Sequence, residues 1–128
     1  MKNFAIVLLL TLFGLSCNKV EGEGGTSSII GKLKVEEYKN STGVLKATYP
    51  GVDEDVFVIY GKDNTTFNDK VTTSYDGSYR IDNLVKGTYK LFSYAKDTSA
   101  SGVKEVLVEV VISKNGELVS APELVIEK

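Results

Sequence analysis

Between Ser74 and Ala95 the chain reads SYDGSYRIDNLVKGTYKLFSYA, and this stretch narrows the folds open to it. Asp76-Gly77 is a two-residue turn signal, because glycine takes positive φ freely and aspartate tolerates it. Such a loop would set Tyr75 opposite Ser78, Ser74 opposite Tyr79 and Thr72 opposite Ile81. Beyond it, Tyr79 and Ile81 point one way while Ser78, Arg80 and Asp82 point the other, the period-two alternation of a half-buried strand. Asn83 interrupts that strand, Lys86-Gly87 marks the next turn, and Tyr89 and Leu91 resume the apolar face.

The remaining chain has the same grammar. Ile29 to Tyr38 is a first strand, and Val44 to Tyr49 a second, closed by Pro50-Gly51. Val56 to Tyr60 is apolar on both faces and reads as a central strand. Val71 to Tyr75 leads into the opening turn. Val103 to Ser113 alternates throughout, with Val106, Val108, Val110 and Ile112 on one face and Leu107 and Val111 on the other. Asn115-Gly116 predicts a second hairpin, with Lys114 opposite Glu117 as a cross-strand pair and Leu118 to Ala121 returning along the preceding strand. Pro122 lacks an N–H and demands a bend or an edge, and Leu124 to Ile126 is the last short strand. No helical period survives beyond the N-terminal apolar run. The expected fold is therefore all-β, a single antiparallel Greek-key β-sandwich of about seven strands.

The wording Gly77-Ser78-Tyr79-Arg80-Ile81 followed by Leu84-Val85-Lys86-Gly87-Thr88-Tyr89 resembles the carboxypeptidase regulatory-like, or transthyretin-like, β-sandwich family. Ile30 to Leu33 looks like that family's first strand and Val56 to Tyr60 like its second, so the resemblance covers most of the chain after residue 28. It implies a fold and says little about function.

The N-terminus reads as an address. Lys2 precedes an apolar run from Phe4 to Phe13, too short to span a bilayer as a mature helix. Leu15-Ser16-Cys17 resembles the lipobox of a Bacteroidetes-type envelope lipoprotein, with Gly14 where Leu is usual. That resemblance implies cleavage before Cys17, diacylglycerol and palmitate at Cys17, and an outer-membrane location facing the periplasm or the cell surface. The alternative is a plain secretory signal with an incidental cysteine. The expected organisation is residues 1–16 as signal peptide, 17–28 as lipidated cysteine and flexible polar tether, and 29–128 as the sandwich. Glu21 and Glu23 resemble a surface-export signal or are ordinary solvating charges.

The chain holds no histidine and one cysteine, which removes Ser–His and Cys–His nucleophile pairs and cysteine-based zinc sites. No Walker loop and no dinucleotide fingerprint occurs, so no cofactor is expected. Removing the leader takes Lys2 and no acid, moving the net charge from −2 to −3; nothing in this mild acidity points to nucleic acid. Asp53, Asp55, Asp63 and Asp69 are weak calcium candidates without the glycine-punctuated spacing of a calcium loop, and a solvated acidic loop is the better reading. The aromatics are the remaining lead. Phe92 and Tyr94 oppose Tyr89 and Leu91 on their strand, and Phe57 and Ile59 oppose Val56 and Val58, so these four form a candidate binding face for a protein or a stacked sugar. The competing reading is that a loop covers them. The function expected is a lipid-anchored, non-catalytic module docking on another envelope protein. Glycan binding is the alternative, and a small hydrolase ranks last.

Overall fold

The computed structural model describes residues 20–39, 42–97 and 102–128. The expected leader, Cys17 and the tether up to Lys19 lie outside the described residues, as do parts of the 40–43 and 96–102 turns. Nine strands and no helix occupy the described residues: β1 (Glu23–Tyr38), β2 (Leu45–Pro50), β3 (Asp55–Tyr60), β4 (Asp69–Thr72), β5 (Ser78–Leu84), β6 (Gly87–Lys96), β7 (Val103–Ile112), β8 (Leu118–Ser120) and β9 (Leu124–Glu127). They form two sheets, β1 with β2, β5, β8 and β9, and a second in the order β4-β3-β6-β7.

β1 is the spine of its sheet. Its 16 residues span roughly 50 Å at strand rise, long enough to hold two partners on each side. Leu33 donates its N–H to the Gly77 carbonyl at 2.8 Å and accepts from the Gly51 N–H at 2.9 Å, so β5 and β2 share one side. The Ile30 carbonyl accepts from Ala121 at 2.8 Å and the Glu36 carbonyl from Lys128 at 3.1 Å, so β8 and β9 share the other. The bend between β8 and β9 falls at Pro122, where an edge bond would be missing anyway. β1 also starts six residues before the expected Ile29. Where the sequence suggests tether through Ser28, Glu23 pairs with Leu84 and Ser27 is fully buried.

One expectation about strand direction and two about turns are corrected. β8 and β9 run parallel to β1, so this sheet is rich in antiparallel pairs without being purely antiparallel. Asn115-Gly116 closes no hairpin, since β8 pairs with β1 and not with β7. The buried Ser27 hydroxyl donates to the Lys114 carbonyl at 3.0 Å and accepts from the Glu117 N–H at 3.2 Å, and this draws the chain across to the other sheet. No Lys114–Glu117 ion pair forms. Asp76-Gly77 likewise joins two sheets, β4 pairing with β3 and β5 with β1. Ser74 faces Ser78 there, not Tyr79, through an N–H···O bond of 2.8 Å. Gly77 adopts φ +79° and lies so near β1 that a Cβ would meet the Leu33 carbonyl oxygen at 2.4 Å. That contact, more than the local hairpin preference, fixes the turn.

The core lies between the sheets and makes the body sandwich-like. Ile29, Leu33, Val35, Tyr79, Ile81, Leu124 and Ile126 come from the spine sheet, and Val56, Val58, Tyr89, Leu91, Val110 and Ile112 from the other. Each set follows the period-two alternation of its strands, with Leu84 added to the first after Asn83 at φ +62° shifts the phase of β5.

Candidate functional site

The outer face of the second sheet gathers the aromatics. Register places Phe57 of β3 directly opposite Phe92 of β6, and the two rings stack at 4.9 Å and 15°. Tyr94 stands edge-on to both, at 5.4 Å from Phe57 and 5.6 Å from Phe92. Phe67, from the loop between β3 and β4, tilts onto Phe57 at 4.8 Å. Offset and edge-to-face pairs at these distances contribute beyond simple burial.

The loop carrying Phe67 is pinned. Asn68 donates its N–H to the Val58 carbonyl at 2.8 Å, and its side-chain oxygen accepts from Tyr60 N–H at 2.9 Å and from Asn64 at 3.0 Å. Lys90 donates from Nζ to the Asn64 carbonyl at 3.2 Å. The loop therefore covers part of the face. Ile59 and Phe92 are buried and act as its floor, Phe57 is half-buried, and Tyr94 and Phe67 remain 43% and 52% exposed. The four residues expected from sequence share a face, but two of them are below its surface.

Sequence reading missed how the face continues onto β7. Phe92 lies opposite Leu107 and Thr88 opposite Val111. Val103, Leu107 and Val111 are 66%, 48% and 53% exposed. The alternation of β7 carried the signal. What was lacking was the knowledge that its Leu107 row lies beside Phe92. The carboxylates weighed for calcium do not converge: Asp55 pairs with Lys70 at 3.8 Å, Asp69 accepts from the Lys70 N–H at 2.7 Å, and no group of three metal-ligating side chains occurs among the described residues.

The spine sheet bears a second concavity, an open groove of about 750 Å³ lined by Ile30, Lys32, Ser78, Arg80, Ser120 and Glu123 among others. Two of its charges are paired: Arg80 with Asp82 at 2.6 Å and Glu123 with Lys34 at 3.5 Å. The Ser28 hydroxyl and then Arg80 hold the Asp82 carboxyl below its usual range. Beneath the groove, the buried Tyr79 ring crosses Gly31, and its hydroxyl finds no hydrogen-bond partner among the described residues. Burial pushes that phenol up to about 12.

No family model and no curated protein matches this sequence. One similar solved structure is that of a proposed carbohydrate-binding protein from Pseudomonas aeruginosa, with 14% identity, a TM-score of 0.45, and 84% of this chain and 91% of that chain covered.

Proposed function

We propose that the chain is a lipid-anchored envelope protein whose transthyretin-like domain binds another envelope protein without catalysis. The observation that carries this reading is the apolar face running from Phe67 and Tyr94 across Phe57 and Phe92 to Leu107 and Val111. Contiguous exposed apolar surface with aromatic anchors is the usual ground for a protein contact. The lipid reading rests on the Leu15-Ser16-Cys17 wording.

Two measurements test it. Mass spectrometry of the mature N-terminus should find Cys17 first and acylated; an intact leader removes the anchor. A benzophenone side chain in place of Tyr94 should crosslink in cells to one envelope protein, and Phe67→Ser should abolish the adduct. Absence of any adduct with the folded protein removes the docking face.

Glycan binding is the second reading, and the hydroxyl-lined groove favours it, with Ser74, Ser78, Ser120 and Thr72 beside Lys32 and Arg80. Retention on a glycan array that Arg80→Ala eliminates and Phe67→Ser leaves intact would move the function to that sheet.

A further inference from the structure

The free edge of β7 is where unpaired backbone and the outward apolar row coincide. β7 pairs with β6 along all ten of its residues, and among the described residues no strand lies on its other side. At the hairpin end the Asp97 N–H donates to the Gly102 carbonyl at 3.1 Å, which sets the phase of the ladder. Lys104, Val106, Val108, Val110 and Ile112 bond to β6. Val103, Glu105, Leu107, Glu109 and Val111 turn their N–H and C=O groups to the open side, and the same five side chains lie on the outer face. No proline, glycine or register shift breaks the strand.

Charge decides what such an edge accepts. Glu105 and Glu109 flank Leu107, and neither forms an ion pair among the described residues. Lys90, directly across from Glu109, gives its ammonium to the Asn64 carbonyl, and Glu105 lies across from Tyr94. A second copy of β7 would present the same outer row, which contains no cation, so self-pairing in any register leaves these carboxylates uncompensated. A strand with Lys or Arg at two positions four apart and an aliphatic residue between them would match Glu105, Leu107 and Glu109.

We propose that β7 receives an extended basic segment of another protein by strand addition, with the segment's outward side chains continuing the aromatic face. This rests on the reading of the domain as a protein-binding module and names the element that binds.

The test uses the intact mature protein and a labelled peptide, Thr-Lys-Thr-Val-Thr-Lys-Thr-Val, against a control with Glu for Lys. The basic peptide should bind at least about tenfold more tightly than the control, as two cross-strand pairs change from attraction to repulsion. Hydrogen exchange should slow at the Glu105, Leu107 and Glu109 amides and stay unchanged at Val106 and Val108. Glu105→Lys with Glu109→Lys should reverse the preference, and Leu107→Pro, which removes an edge N–H outside the β6 ladder, should abolish binding of both peptides. Equal binding of the two peptides, protection elsewhere, or a dimer that protects the edge without peptide overturns the proposal. Phe67→Ser separates the two ideas: a Tyr94 crosslink that it abolishes, alongside no peptide binding, retains the face and removes the edge.

Discussion

The Tyr89 hydroxyl donates to the Val85 carbonyl four residues upstream at 2.6 Å and accepts from the Gly22 N–H at 2.9 Å. One buried phenol thus closes the crossing from β5 to β6 and fastens the segment leading into β1 onto it. Tyr89→Phe leaves a buried donor and a buried acceptor without their partner. It should cost about 1–3 kcal/mol in urea unfolding and speed amide exchange at Gly22.

Tyr79 is the opposite case. Its hydroxyl is buried with no hydrogen-bond partner among the described residues, so Tyr79→Phe removes a group that gains nothing there and should be neutral or mildly stabilising. Burial raises the phenol to about 12 in the folded state, against about 10 in the unfolded chain. The neutral form is favoured by folding, so this contribution is whole below pH about 10 and is lost as pH rises through about 12. Alkaline unfolding curves of the wild type and of Tyr79→Phe should diverge over that window.

Gly31 has no room for a side chain. A Cβ there would lie 2.2 Å from the Tyr79 hydroxyl oxygen and 2.4 Å from the ring carbon bearing it. Gly31→Ala should destabilise by about 1–3 kcal/mol or more. Pairing it with Tyr79→Leu should recover part of the loss, and a double-mutant cycle by chemical denaturation measures the coupling.

Asp76 accepts from the Ser78 hydroxyl at 2.6 Å, the Ser74 hydroxyl at 2.8 Å and the Ser78 N–H at 3.0 Å. These bonds, the hydroxyls first, hold its carboxyl well below the usual range. Its contribution to stability is present above the ordinary carboxylate pKa and fades as pH falls through the depressed folded value. Carboxyl NMR should find Asp76 still ionised when exposed acids have titrated, and Asp76→Ala should flatten the acid limb.

The outer face should separate into floor and surface. Phe92 is buried and Leu107 is about half exposed. Phe92→Ala should cost about 3–5 kcal/mol, and Leu107→Ser should stay within about 0.5 kcal/mol while weakening partner binding. Thermal unfolding and crosslinking together check both.

Strand positions were legible because side-chain alternation is a local property. Tyr79 with Ile81, Val56 with Val58 and Val106 with Val108 and Val110 all turn inward as their spacing requires. Pairing was less legible. Asp76-Gly77 and Asn115-Gly116 both bend the chain, but a turn dipeptide does not state whether the strand it releases rejoins its predecessor or crosses to another sheet. Leu33 and Ser27, distant in sequence, made that choice by offering backbone and hydroxyl partners at the spine sheet.

The amino-acid order alone determined an all-strand body, the inward rows of its core and the opposite placement of Phe57 with Ile59 and of Phe92 with Tyr94, since each follows from neighbours along one strand. Only the folded arrangement decided that β1 is a spine flanked by parallel C-terminal strands, that Phe67 roofs the aromatics, and that β7 is left with an open edge. Those features depend on which segments meet across the sheets, and hydrogen-bond satisfaction and close packing between remote residues settle that only when the whole chain is assembled.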